Sequence, residues 1–175
     1  MQFDVTKADA KKAEIPHEVF LFNLVGNHIL IFIASLGMFG SFPYPLYLVP
    51  IISVSCLLYI LWRARRSLAI DPWFALCHWQ IAARRAGIFI GMLSLLGIVS
   101  FLGWLGHIYL GMMKEAVFAI IGGVGILPTM VTLLILIMME SDGLYQARQH
   151  KLSGWVLKRF PNVDAPGKPN SEGGA

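Results

Sequence analysis

Four long apolar stretches dominate this 175-residue chain and restrict the structures that it can adopt. They run from Val19 to Phe39, from Leu46 to Trp62, from Gly87 to Met112 and from Ala116 to Met139, and none contains Asp, Glu, Lys or Arg. A helix needs ~20 apolar residues to cross the ~30 Å of hydrocarbon in a bilayer, and each stretch approaches or exceeds that length. The sequence therefore predicts an all-α membrane protein with four transmembrane helices.

The composition supports one membrane domain with short flanking segments. Hydrophobic residues make up 57% of the chain, and residues 1–17 lack the apolar run and cleavage site of a signal peptide. We predict a cytoplasmic tail over 1–17, a four-helix domain over 18–140 with a loop over 63–86, and an amphipathic juxtamembrane segment over 141–161. Residues 162–175 are rich in Pro, Gly and Ser, which predicts a disordered tail.

The basic residues predict the orientation of the four helices. The loop over 63–86 carries five arginines and both tails carry lysines, whereas the other two connections carry only Lys114. The positive-inside rule therefore places both termini and this loop in the cytoplasm, with the helices arranged as two antiparallel hairpins. The compact connections indicate the inner membrane of a bacterium. The net charge of +4 favours anionic lipid headgroups as partners and gives no reason to expect nucleic acid.

Two segments outside the apolar stretches have the pattern of interfacial amphipathic helices. Asp71 and Pro72 are typical of a helix start, and the helix that follows either lies on the membrane surface or continues directly into the third span. The segment 144–160 has apolar residues at helical spacing between cations, with a break near residue 153. Membrane anchoring and the docking of a partner protein both explain their aromatic and basic residues, which are Trp73, Phe74, Trp79, Arg84, Arg85 and Trp155.

Polar side chains within the apolar stretches fall at one depth in the cytoplasmic half of the membrane. This predicted polar layer consists of Asn23, Asn27, His28, Ser53, Ser94, Thr129 and Thr132. Hydrogen bonds between helices explain such a layer, because Asn and His are costly against lipid. A site for a small solute or ion, or a proton relay centred on His28, is the alternative, but no carboxylate lies at this depth.

Histidines in a membrane also raise the question of haem. His28 and His107 differ in depth by about ten residues, or ~15 Å along a helix axis, which is too far for the two to ligate one haem. A haem b with a single histidine ligand stays open as an alternative. The sequence otherwise predicts neither a cofactor nor a metal site.

Glycines predict close contacts between helices. Gly87 and Gly91 form a G-x-x-x-G step in the third span, and Gly122 and Gly125 lie early in the fourth. Such positions let helix backbones approach closely, either within the hairpin of spans three and four or against another subunit.

The sequence contains no motif that supports catalysis. Nucleophile-elbow, zinc-protease and phosphate-loop patterns are absent from it. We therefore expect a non-catalytic accessory or assembly subunit of a larger membrane complex, bound to a partner subunit or to copies of itself. A small homo-oligomeric transporter or channel that uses the polar layer around His28 is the alternative, and a haem-binding redox anchor is the third hypothesis.

Overall fold

Four long helices form the fold, as the sequence predicts. A computed structural model of the chain describes residues 3–38, 40 and 44–162. The helices are α1 (Lys7–Met38), α2 (Pro45–Ile70), α3 (Trp73–Leu110) and α4 (Lys114–Arg148), and each is long and apolar enough to cross a membrane. A short helix, α5 (Gly154–Arg159), follows. Length and hydropathy thus make the chain a multi-pass membrane protein, and the all-α prediction is confirmed. The predicted disordered tail lies outside the described residues from 163 onward.

Local signals explain where the helices begin and end. The Thr6 hydroxyl accepts a hydrogen bond from the Asp9 amide (3.1 Å) and caps the start of α1. Gly111 adopts a left-handed backbone with φ of 65° after α3, and the Met112 amide then donates to the Gly106 carbonyl (3.2 Å). This is the glycine-dependent stop that lets α3 turn directly into α4.

The connection between α2 and α3 is much shorter than the loop expected over 63–86. Only Asp71 and Pro72 separate the two helices. The Arg63 guanidinium binds both carboxylate oxygens of Asp71, at 2.6 and 2.9 Å, which braces the turn. Residues 63–70 and 73–86 are helical extensions of the apolar stretches, so the segment after Pro72 is the start of one continuous helix and not a separate surface helix.

Two segments of wider, π-helical backbone interrupt the long helices, and the sequence analysis did not predict them. They cover Phe22–Ile31 in α1 and Ile121–Ile126 in α4. The second ends two residues before Pro128, which lacks the amide hydrogen that would satisfy the carbonyl four residues before it. The first contains Asn23, Asn27 and His28, and such segments frequently occur at functional sites.

Two hydrophobic clusters hold the helices together. The bundle core joins all four long helices and consists of Phe20, Leu24, Leu57, Ile60, Ala82, Ala86, Phe89, Leu133 and Leu136. The second cluster lies where α3 begins, α4 ends and both ends of the described chain meet, which we call the basic end. Its buried members are Phe3, Ala13, Phe74, Ala75, Cys77, Ile81, Ala147, Leu152 and Val156. The amphipathic segments at this end therefore cover one another.

Candidate functional site

Four ionisable side chains form a hydrogen-bonded row at the basic end, between the two hydrophobic clusters. In this His–Glu–Arg row, His78 Nδ1 lies 2.8 Å from His17 Nε2, and His17 Nδ1 lies 2.6 Å from Glu140 Oε2. Glu140 Oε1 in turn accepts from Arg85 Nη1 at 3.1 Å. The row connects α1, α3 and α4, because His17 lies in α1, His78 and Arg85 in α3 and Glu140 in α4.

Burial makes the pairing within the row energetically important. His17, His78 and Glu140 have no exposed surface, and Arg85 is 9% exposed. A buried charge is tolerated only when its remaining hydrogen-bonding groups are satisfied. Both carboxylate oxygens of Glu140 have partners, and Arg85 Nη1 also donates to the Met139 carbonyl oxygen at 2.8 Å. The Arg85–Glu140 pair is therefore well compensated inside the protein.

The acceptor-only carboxylate sets the direction of the hydrogen bonds. His17 Nδ1 donates to Glu140, so the contact between His17 Nε2 and His78 Nδ1 holds one proton, on either nitrogen. The other nitrogen of His78, Nε2, is buried and has no hydrogen-bond partner among the described residues. The row is thus a continuous path along which a proton can move between two imidazoles and a carboxylate.

A glycine makes room for this row. A Cβ atom added to Gly143 would lie 2.6 Å from His17 Cε1 and 2.8 Å from Arg85 Nη1. Every other residue has a Cβ atom, so only glycine lets α4 approach the imidazole and the guanidinium this closely. Gly143 is therefore part of the site although its side chain has no functional group.

Sequence reasoning missed this site. It assigned Arg85 to the membrane interface and gave Glu140 no role. The structure corrects the assignment of Arg85, because its side chain is buried and paired with Glu140. The signal was present: His17, Arg85 and Glu140 lie within two residues of the basic ends of their apolar stretches, and hence at one depth.

The predicted polar layer is only partly assembled. Asn27 Nδ2 donates to Asn23 Oδ1 at 3.2 Å and to the Val49 carbonyl oxygen at 2.8 Å, which joins α1 to α2. Ser53, also in α2, is buried. Three buried polar atoms, Asn23 Nδ2, Asn27 Oδ1 and Ser53 Oγ, have no hydrogen-bond partner among the described residues. His28 Nδ1 donates to the Asn23 carbonyl oxygen at 2.9 Å, and its ring meets Phe89 of α3 edge-on.

The α3 and α4 members of the predicted layer do not join these contacts. Thr129 is buried, but its hydroxyl donates to the Gly125 carbonyl of its own helix (2.8 Å). Thr132 is half-buried, and Ser94 is exposed on the outer surface of α3. The expectation that all four helices contribute polar atoms to one layer is corrected accordingly: depth placed Ser94 at the right level, but the rotation of α3 directs it outward.

Of the four glycines predicted to let helices approach closely, only one does so in the structure. A Cβ added to Gly125 would lie 2.8 Å from Leu96 Cδ1, so this glycine lets α4 approach α3. At Gly87, Gly91 and Gly122 such an atom would meet no described atom within 4 Å. These three do not mediate contacts within the described chain.

The predicted interfacial residues mostly have partners within the chain. Phe74 and Trp79 are 2% exposed, which corrects their assignment to the membrane surface. Trp73 Nε1 donates to the Phe160 carbonyl oxygen at 2.8 Å. The Arg84 guanidinium lies over the Trp155 ring, 4.7 Å from its centre. These segments therefore pack largely against one another within the chain.

Residues 3–38, 40 and 44–162 contain no group of three His, Cys, Asp or Glu side chains arranged to hold a metal ion. His107 Nδ1 donates to the Met112 carbonyl oxygen at 2.8 Å, which stabilises the turn between α3 and α4.

The fold and the buried row define a four-helix multi-pass membrane protein with an ion-paired polar centre at one end. Comparison with known protein families, curated proteins and solved structures gives no match for this chain.

We predict that Gly143→Ala destabilises the protein by about 1–2 kcal/mol. Alanine favours a helix over glycine by about 1 kcal/mol, but the added methyl must displace the His17 ring and the Arg85 guanidinium. The measurement is the free energy of unfolding in mixed micelles of anionic and neutral detergent. The matched control is Gly97→Ala, where a Cβ meets no described atom within 4 Å and the helix should gain stability. Equal effects of the two changes would contradict the packing argument.

Glu140→Gln should destabilise the protein by about 3 kcal/mol in the same assay. The change keeps the shape of the side chain but leaves the Arg85 guanidinium buried without its counter-charge. Asp142→Asn is the control, because Asp142 is an exposed carboxylate whose side chain, among the described residues, bonds only to Gln146. We expect its effect to stay below about 0.5 kcal/mol. A Glu140→Gln protein as stable as Asp142→Asn would show that the ion pair contributes no net stability.

Proposed function

We propose that this protein is a non-catalytic accessory or assembly subunit of a larger complex in a bacterial inner membrane. The observation that carries the proposal is an outward face of small residues on α3. We call it the small-residue face, and it consists of Gly87, Gly91 and Ser94. Their spacing of four and three residues places them on one side of the helix.

The geometry of this face suits another helix. No described atom lies within 4 Å of a Cβ added at Gly87 or Gly91, and Ser94 makes no hydrogen bond to a described residue. Ile88 and Ile98 beside it are 48% and 57% exposed. Lipid tails are as apolar as these side chains, so association in a membrane depends on close packing and hydrogen bonds, which small residues and Ser supply. The small-residue face therefore offers a membrane partner both kinds of contact.

The interior of the protein supports the same proposal. Asn27 donates to the Val49 carbonyl of α2, and Glu140 is paired with His17 of α1 and Arg85 of α3. These polar groups join the protein's own helices, which suits a rigid structural subunit. An outer surface is then the part of the molecule through which it acts.

We expect Gly91→Leu to remove the partner while leaving the fold intact. Leucine fills the small-residue face and keeps another helix from approaching, whereas inside the chain it meets open space. The measurement is the amount of co-purifying membrane protein per subunit, determined by mass spectrometry after gentle extraction at native expression level. Partner loss of about tenfold is expected, which corresponds to ~1.4 kcal/mol.

Gly123→Leu is the matched control for this experiment. It makes the same change at another exposed glycine with no described neighbour within 4 Å, but in α4 and outside the small-residue face. Retention of the partner by Gly123→Leu and its loss from Gly91→Leu supports the proposal. Equal behaviour of the two variants would rule out the small-residue face as the binding surface.

For orientation, we propose that the basic end faces the cytoplasm. Arg63, Arg65, Arg66 and Arg84 lie at this end, and the positive-inside rule then places both termini in the cytoplasm. A fluorescent protein that folds only in the cytoplasm, fused to the C terminus, should fluoresce, and periplasmic alkaline phosphatase at the same position should be inactive. The reverse result would overturn this orientation.

Proton-coupled transport is the second candidate function. The specific observation in its favour is the buried Glu140 carboxylate in contact with His17, because a carboxylate hydrogen-bonded to an imidazole can exchange a proton with it. This pair lies at the basic end and not at the depth of His28. Proton flux into vesicles that contain the purified protein distinguishes the two functions. Transport requires that Glu140→Gln or His28→Leu abolish this flux, whereas an assembly subunit shows no flux above empty vesicles.

A further inference from the structure

A strongly basic cleft opens at the basic end between α3 and α5. It has a volume of about 720 Å³. Three of its lining residues are the cations Arg84, Lys158 and Arg159, and the aromatic rings of Trp155 and Phe160 lie beside them. We call this the basic cleft. It lies apart from the His–Glu–Arg row and from the small-residue face, and neither the proposed function nor the row uses its charges.

The positive charge in the basic cleft is uncompensated by the described part of the chain. None of its lining residues is acidic. Within the described ranges Arg84, Lys158 and Arg159 form no ion pair, whereas Arg63, Arg85 and Arg148 each do. Three cations held close together repel one another, so binding an anion between them is favourable. The chemistry of the cleft therefore selects a group with more than one negative or hydrogen-bond-accepting oxygen, such as a phosphate.

Two of the three cations lie over aromatic rings. Arg84 lies over the Trp155 ring at 4.7 Å, and Arg159 lies over the Phe160 ring at 6.0 Å. A guanidinium held over a ring keeps its N–H donors available for a ligand. The helix that carries Arg159 is itself fixed, because Val156 is fully buried. This fixation reduces the entropy lost on binding an anion.

The position of the cleft indicates where the anion comes from. Arg84 precedes Gly87, the first residue of the third apolar stretch, by three residues, or about 4.5 Å along the helix. This is the level of lipid headgroups. Lys158 also borders a second cleft of about 390 Å³, which Leu152 and Leu157 help to line. A basic site next to an apolar one suits an amphipathic ligand better than a free anion.

We propose that the basic cleft binds the phosphate of an anionic phospholipid through Arg84, Lys158 and Arg159. The lipid would thereby connect α5 to α3 at the membrane surface. This role is independent of the small-residue face, so either proposal can fail without the other.

The test uses the full chain in neutral detergent micelles and titrates it with fluorescently labelled phosphatidylglycerol. We expect saturable binding that Arg84→Gln and Arg159→Gln each weaken about fivefold, since one cation near an anionic headgroup contributes roughly that factor. Arg66→Gln is the matched control: Arg66 also lies over a tryptophan, 5.5 Å from the Trp62 ring centre, but outside the basic cleft. Its binding should stay close to that of the unchanged protein.

Competition experiments distinguish the source of the phosphate. Labelled phosphatidylcholine should bind more weakly than phosphatidylglycerol, and glycerol 3-phosphate should compete only at far higher concentration than the lipid. Competition by glycerol 3-phosphate at equal concentration would overturn the lipid assignment in favour of a soluble phosphate. An equal loss in Arg66→Gln and Arg84→Gln would overturn the site itself, because general surface charge would then explain the binding. If Arg84→Gln does not fold, the test uses Arg159→Gln, which changes an exposed side chain.

Discussion

The buried carboxylate of Glu140 is the constraint on which the basic end of this protein depends. A carboxylate without exposed surface needs a counter-charge and hydrogen-bond donors, and here Arg85 and His17 supply them from two other helices. The three helices must therefore meet at one level and in one rotational setting. Gly143 is the steric counterpart of this requirement, because it removes the side chain that would keep α4 away from His17 and Arg85. Association of apolar helices alone would not specify such a register.

This register also brings together the hydrophobic cluster at the basic end. Phe74 and Cys77 of α3 lie within one turn of His78, and they pack against Ala147 of α4 and Val156 of α5. The amphipathic segments that flank the spans thereby find their apolar partners within the chain. Two different surfaces stay exposed: the basic cleft at the basic end, and the small-residue face within the apolar part of α3. We propose that the protein binds other molecules through both.

The polar groups deeper in the bundle are less completely paired than the row at the basic end. Asn27 bridges α1 to α2, yet Asn23 Nδ2, Asn27 Oδ1 and Ser53 Oγ have no protein partner among the described residues. The wide backbone of Phe22–Ile31 brings the Asn23 carbonyl within reach of His28, five residues later. The two polar regions thus differ in kind: one fixes the positions of three helices, and the other is an incompletely satisfied contact between two.

The sequence by itself determined the number of spanning helices, the position of the apolar part of each and the clustering of cations at one end. These properties depend on the thickness of the bilayer and on the exclusion of charge from it, which act on each segment separately. Only the tertiary structure decided which polar side chains meet, because that depends on how each helix is rotated about its own axis. Ser94 lies at a suitable depth but faces outward, whereas His17 and Glu140, separated by 123 residues, meet at 2.6 Å. Depth can be counted along a chain, but rotation is set by the packing of one helix against another.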